Sequence, residues 1–409
     1  MVAALSMTGL LLGVGLAANT KLGIALLLAL LFLPVVLTNF QRGLTLWFPV
    51  IFLEGLPAFN AAGKGGGLVI VLAWLAGVRR LAPPAPEALR CLRPLMFALA
   101  ALLVFYACSL IWAQDAGRGF SDLWHWWAVA LLMVIVATAV NTRRHLRAMC
   151  TAFVGGALLT VAFGIAGGEL TASTSAVQTA SEGRLEGGQG DPNFLAAGIV
   201  PAIILGLVLL VTTRRSWVRW GIAAACGLLA LGLVASESRG GVVAAVLAML
   251  AALVLFKRHR VHVLVATCLA LGIATAWFAV APQAWDRVSE FDNGGSGRTE
   301  LWTIAWRMFA DHPVQGVGLF NYSVQAPDYA SAPGSLGRLD LIFDHAQVAH
   351  NVYLQALAET GVVGLGLFLA VAVLSMRAAW LAARRFRALG DLSTEMLARG
   401  IIVATIGLM

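Results

Sequence analysis

Charge is what this sequence has least of. Only 12% of its 409 residues are charged and 60% are hydrophobic, whereas a soluble domain has about 25% and ~45–50% respectively. With a mean hydropathy of +0.86, the chain is excluded from the soluble class and reads as a polytopic membrane protein. Period-two alternation, the mark of a transmembrane barrel, is also missing. The apolar runs are rich in Leu, Ala and Gly all round, and helices satisfy their own backbone in lipid, so the fold is expected to be all-helical. No C-x-x-C spacing occurs among Cys91, Cys108, Cys150, Cys226 and Cys268, so neither a metal knuckle nor a disulfide in an outer loop is expected. The chain has no Walker motif and, in its polar segments, no D-x-D to hold a divalent metal for a nucleotide-sugar donor. No cofactor and no metal are expected, so energy for any chemistry must come from the substrate. A basic n-region before the first apolar run is lacking too, which argues against a cleaved signal peptide.

Apolar runs at 95–114, 124–140, 148–166, 193–212, 220–235, 240–256, 261–281 and 351–376 are the clearest candidates for spans, since crossing a bilayer takes ~20 apolar residues. Shorter runs at 2–18 and 22–38 are separated by Asn19 and Lys21, and 44–58, with Pro49, Glu54 and Pro57, reads as re-entrant. The expected fold is an all-α polytopic integral membrane protein with about 12 to 14 transmembrane helices. Its expected organisation is a helix bundle over 1–281, a polar loop with an amphipathic helix over 282–348, and C-terminal helices over 349–409. The last apolar run stops at Met409 without a polar flank, so the chain is expected to end short of the natural terminus.

Arginine sets the orientation. Arg79, Arg80, Arg90 and Arg93 share one loop, Arg143, Arg144 and Arg147 a second, Arg214, Arg215 and Arg219 a third, and Lys257, Arg258 and Arg260 a fourth. Alternating spans put all of these on one side, which the positive-inside rule makes cytoplasmic. The long polar loop then faces outward, which in a Gram-negative cell means into the periplasm. The net charge of +8 resides largely in these topology loops, so it does not point to nucleic acid.

Arginines on the outer side run against that sorting. Arg118, Arg184 and Arg239 stand among glycines and serines in short loops, and Arg287, Arg298, Arg307 and Arg338 in the long one. A guanidinium offers a planar fork of donors that matches phosphate oxygens, so the set reads as a site for the phosphate or pyrophosphate head group of a lipid. For each arginine the plainer reading is an ion pair with a nearby acid, or contact with membrane lipid phosphates. Arg239, in a very short loop between apolar helices, fits the plainer reading least.

Within the long loop, RTELWTIAWRMFADHP predicts an amphipathic helix from Arg298 to Pro313, with Trp302, Trp306, Leu301, Ala305 and Met308 on one apolar stripe. The tryptophans suit packing onto the membrane interface or the bundle, with sugar stacking the alternative. His312 reads as a helix-end residue, and GVGLFNY after it as a tight turn. His350 opens the next apolar run, at the positive end of a helix dipole, where imidazolium is disfavoured. A neutral imidazole is what a general base requires; a hydrogen-bonded interfacial histidine is the other reading. His345 is a weaker competitor. Glu359, an acid inside an apolar helix, is expected to have a buried partner.

SESRGG (236–241), RLEGGQGDPN (184–193), GRTELWTIAWRMFADHPVQGVGLFNY (297–322) and HNVYLQALAETGVVGLGLFL (350–369) together resemble the O-antigen ligase and polymerase superfamily of bacterial envelope enzymes, and most of all its lipopolysaccharide ligases. The resemblance implies a GT-C-like membrane glycosyltransferase of the inner membrane. It would move a glycan from undecaprenyl diphosphate to a sugar hydroxyl of the lipid A core on the periplasmic side, metal-independent and with inversion. His350 would be the base, and Arg239, Arg298 and Arg184 would hold the diphosphate. Asn193, Asn321, Tyr322, Asn351 and His345 are weaker substrate-binding candidates. An O-antigen polymerase using the same donor is the nearest alternative, followed by a protein O-glycosyltransferase and by a lipid transporter. The transporter reading rests on Glu359 and lacks the internal repeat it would need.

Overall fold

The structure, a computed structural model, describes residues 32–77, 86–169, 183–282, 284–285, 298–331 and 348–409. Among these residues it is all helical, with no strand. Among the described residues eight helices are long and apolar enough to cross a membrane: Phe59–Gly77, Arg90–Ser109, Ala116–Ala139, Arg143–Ala166, Pro192–Thr212, Ser216–Ala235, Lys257–Val280 and Val352–Ala388. Arg239–Leu255 is a shorter apolar helix. The protein is therefore a multi-pass membrane protein. Several of these helices begin before the apolar run that predicts them, because their first turns carry basic or capping residues that hydropathy does not count. The 44–58 segment, expected to be re-entrant, comprises the end of the Phe40–Ile51 helix, a turn over 52–56 and the start of the Pro57–Gly77 helix.

The chain divides into two compact units, each discontinuous in sequence. One comprises Met1–Pro83, Ala137–Ser289 and Ala379–Met409. Its centre is the Pro192–Thr212 helix, packed against Arg143–Ala166, Ser216–Ala235, Arg239–Leu255 and Leu392–Leu408. Val161, Ile199, Ala202, Leu229, Ala248 and Val403 form its fully buried core. Small residues let the helices meet closely, as TM helices require when lipid competes equally for apolar side chains. A Cβ on Gly400 would lie 2.9 Å from Val208, and one on Gly232 2.6 Å from Val161.

The second unit comprises Pro84–Val136 and Glu290–Ala378. Leu102, Tyr106, Leu123 and Leu319 form one core cluster, extended by edge-on ring contacts of Trp126 with Tyr106 and Phe368. A second cluster gathers Leu301, Ile304, Ala305 and Met308 of the Arg298–Asp311 helix against Val317, Tyr322, Ala326, Ala330, Ala349 and Ala358. The amphipathic helix thus forms where expected and stops before Pro313, with His312 just past its end. Its stripe differs from the one expected. Leu301, Ile304, Ala305 and Met308 face inward, while Trp302 and Trp306 are 38% and 57% exposed, because at 100° per residue they lie one step around the helix from the Leu301–Ala305 line.

The Val352–Ala388 helix is broken at Gly361, where φ is 61° and ψ −166°, a conformation open essentially to glycine alone. Residues 313–322 wrap around this break. Val317 and Gly318 donate N–H bonds to the carbonyls of Ala358 and Glu359, and Val362 donates to that of Pro313. The approach is backbone to backbone: a Cβ on Gly361 would sit 2.3 Å from the Val314 carbonyl oxygen, and one on Gly316 2.3 Å from the Glu359 carbonyl carbon.

Candidate functional site

In the first unit the RLEGGQGDPN and SESRGG segments lie side by side. Leu185 donates its N–H to the Ala235 carbonyl at 2.9 Å, and the Arg184 Nε–H donates to the Ser236 carbonyl at 3.0 Å. Asp191 caps the Pro192–Thr212 helix, accepting from the Asn193 N–H at 2.7 Å and from its Nδ2 at 2.9 Å. Ser238 caps the Arg239–Leu255 helix, accepting from the Gly241 N–H at 3.1 Å. The Ser238 hydroxyl in turn donates to Asn193 Oδ1 at 2.7 Å and ties the two helix starts together. Arg184, Asn193 and Arg239 are half-buried at this junction. Two helix N-termini with their positive dipole ends, and two guanidiniums beside them, form an environment that favours an anion. Glu169 fixes the glycine-rich loop, its carboxylate accepting N–H bonds from Glu186, Gly187 and Gly188 at 2.7, 2.8 and 3.3 Å.

In the second unit Arg298 is the first residue of the Arg298–Asp311 helix and is half-buried. His350 is exposed and lies just outside the next helix, whose cap is Asn351: its Oδ1 accepts the N–H groups of Tyr353 and Leu354, both at 3.1 Å. The imidazole thus stands at the N-terminal mouth of the helix, as the sequence predicts. Asn351 has a definite local task, which is to satisfy two of that helix's first N–H groups.

Asn321 and Tyr322 are fully buried and their polar atoms serve the loop. Asn321 Oδ1 accepts the Asp115 N–H at 2.7 Å, and its Nδ2 donates to the carbonyls of Asp115 and Leu319. The Tyr322 hydroxyl donates to the Leu301 carbonyl at 2.7 Å, and burial, then the Glu359 carboxylate nearby, hold its pKa well above the usual phenol range. Glu359 has the buried partner expected of it in Tyr322, with two less buried ones beside it. The partners are backbone groups: the N–H of Phe320 at 2.9 Å and of Tyr322 at 3.3 Å, with the Gln355 side-chain amide at 3.1 Å. Arg118 follows its plainer reading, paired with Asp115 at 3.6 Å on an exposed surface, and Arg307 donates to the Tyr329 carbonyl at 2.8 Å. His345, Arg287 and Arg338 lie outside the described residues.

One feature of the backbone links the motif segments. Among the described residues the non-glycine positions with positive φ are Glu237 (49°), Phe320 (57°) and His350 (47°). One falls in SESRGG, one in GLFNY and one at the start of HNVYL. Such conformations cost about 1–3 kcal/mol each and gather at functional sites. Composition gives no sign of them, nor of Glu169 as the loop's anchor.

These observations define a multi-pass membrane protein with guanidiniums set at helix starts and an exposed histidine at a helix mouth. Residues 224–369 match the family model described as O-Antigen ligase. That stretch contains Arg239, Arg298, Asn321, Tyr322 and His350, whereas Arg184 and Asn193 precede it. No curated protein matches the chain.

Proposed function

We propose that the protein is a glycosyltransferase that moves O-antigen polysaccharide from undecaprenyl diphosphate to a sugar hydroxyl of the lipid A core, at the periplasmic face of the inner membrane. The observation that carries this reading is the O-antigen ligase match over 224–369, which spans the exposed His350 and two of the three arginines proposed for the diphosphate. His350 accepts the proton of the acceptor hydroxyl. The acceptor oxygen attacks the anomeric carbon from the face opposite the diphosphate, forming the new glycosidic bond as the bond to the diphosphate oxygen breaks, which inverts that centre. Undecaprenyl diphosphate leaves with the bonding electron pair. Arg239, Arg298 and Arg184 stabilise its developing charge with charge-assisted hydrogen bonds, the role a divalent metal takes in many glycosyltransferases. The proton on the imidazole then passes to solvent or to the leaving diphosphate, which resets the base.

The test is transfer by the purified protein in detergent, given a lipid-diphosphate glycan and lipid A core with neither metal nor nucleotide. The parent is expected to label the core. His350→Ala should lose about 10²–10⁴-fold in rate, the range for a general base, while still binding donor. His350→Asn serves as a second variant, because asparagine tolerates a left-handed φ. Full activity in both variants would refute the base. Longer glycan on lipid, with none on the core, would make the protein a polymerase.

A further inference from the structure

We propose that Trp302 is a positioning residue that sets the orientation of His350; the inference rests on His350 being the base. Trp302 lies just after Arg298 at the start of the Arg298–Asp311 helix, and its indole N–H donates to the carbonyl of Ala349 at 3.1 Å. That carbonyl belongs to the same planar peptide unit as the His350 nitrogen. Fixing its direction therefore fixes the plane about which the φ of His350 turns. On the other side of His350, Asn351 is held by its cap bonds to Tyr353 and Leu354. The residue that carries the imidazole is thus anchored before and after itself, and its φ of +47°, costly for a non-glycine residue, is held between those anchors.

The chemistry of the anchor suits the task. Ala349 is fully buried while His350 is exposed, so the bond sits where the core ends and the accessible imidazole begins. An indole is a rigid, donor-only group that reaches this carbonyl from a helix whose own inward face is closed by Leu301, Ile304, Ala305 and Met308. The same helix starts at Arg298, so the bond also keeps the base in register with an arginine proposed to hold the diphosphate. Trp306, one turn further on, contacts Phe309 at 5.2 Å between ring centroids and provides an internal comparison.

The test uses the full chain in detergent. Trp302→Phe keeps an aromatic ring and removes the donor, 3-benzothienylalanine at 302 keeps the indole's shape without its N–H, and Trp306→Phe is the control. Hydrogen–deuterium exchange over residues 348–352 reads the anchor, and kcat and donor KM read its consequence. Both changes at 302 are expected to raise exchange at the His350 and Asn351 amides. They should lower kcat about two- to tenfold, as the loss of one hydrogen bond implies, with donor KM unchanged and the melting temperature lowered by no more than a few degrees. Trp306→Phe is expected to match the parent throughout. Unchanged exchange, raised exchange with parental kcat, or equal losses at 302 and 306 would each overturn the inference. A parent protein that transfers no glycan would instead overturn the functional reading itself.

Discussion

Glu359 offers the sharpest test of how the second unit is held together. Its carboxylate is buried and accepts hydrogen bonds from the amides of Phe320 and Tyr322 and from the side chain of Gln355. Glu359→Ala removes all three acceptor contacts. Tyr322 is fully buried, so an orphaned N–H there costs about 1–3 kcal/mol. Phe320 is 37% exposed and water can replace its partner, which limits that loss to about 0.5–1.5 kcal/mol. The Gln355 amide, on a half-buried residue, can turn toward solvent, and the deleted methylene adds about 0.8 kcal/mol. The expected destabilisation is roughly 2–5 kcal/mol. Glu359→Gln keeps one acceptor oxygen and should lose only about 1 kcal/mol. Unfolding in mixed micelles of SDS and dodecylmaltoside, followed by tryptophan fluorescence, reads both variants. An alanine variant within about 0.5 kcal/mol of the parent, or a glutamine variant as damaged as alanine, would refute the reasoning and leave the Glu359-based transporter reading open again.

Gly361→Ala should leave little folded protein in a detergent-stability assay, because the new Cβ meets the Val314 carbonyl at 2.3 Å in a backbone conformation that only glycine adopts comfortably. Asn351→Ala should cost about 1 kcal/mol as a lost cap and slow transfer, while Asn351→Asp, which retains an acceptor oxygen, should keep the stability; equal melting curves for Ala and parent would count against the cap. Arg239→Ala should weaken binding of a lipid diphosphate, measured by equilibrium titration, by about tenfold or more, and unchanged affinity would remove Arg239 from the anion site. Chelation with EDTA should leave the transfer rate unaltered, since the proposed charge stabilisation comes from arginines; a rate restored only by added divalent cation would contradict it.

The sequence by itself determined the membrane class, the helical fold and the segments where chemistry is expected. Apolar length and the need to satisfy backbone groups in lipid leave little choice there, and proline, serine and asparagine at helix starts are local signals. Asp191, Ser238 and Asn351 accordingly sit at the helix starts in RLEGGQGDPN, SESRGG and HNVYL. Only the tertiary structure decided which polar residues of those segments remain accessible. Asn321 and Tyr322 read like ligands in a string of letters, yet both are enclosed, because the loop they belong to wraps a broken helix and needs their polar atoms to satisfy buried backbone. Glu359 reads like a charge stranded in a membrane helix, yet its partners are the amides of a loop far away in sequence. Trp302 reads as part of an apolar stripe, yet its nitrogen holds the peptide before His350. In each case the deciding contact joins residues distant along the chain, and neither hydropathy nor helical periodicity, which are local quantities, carries that information.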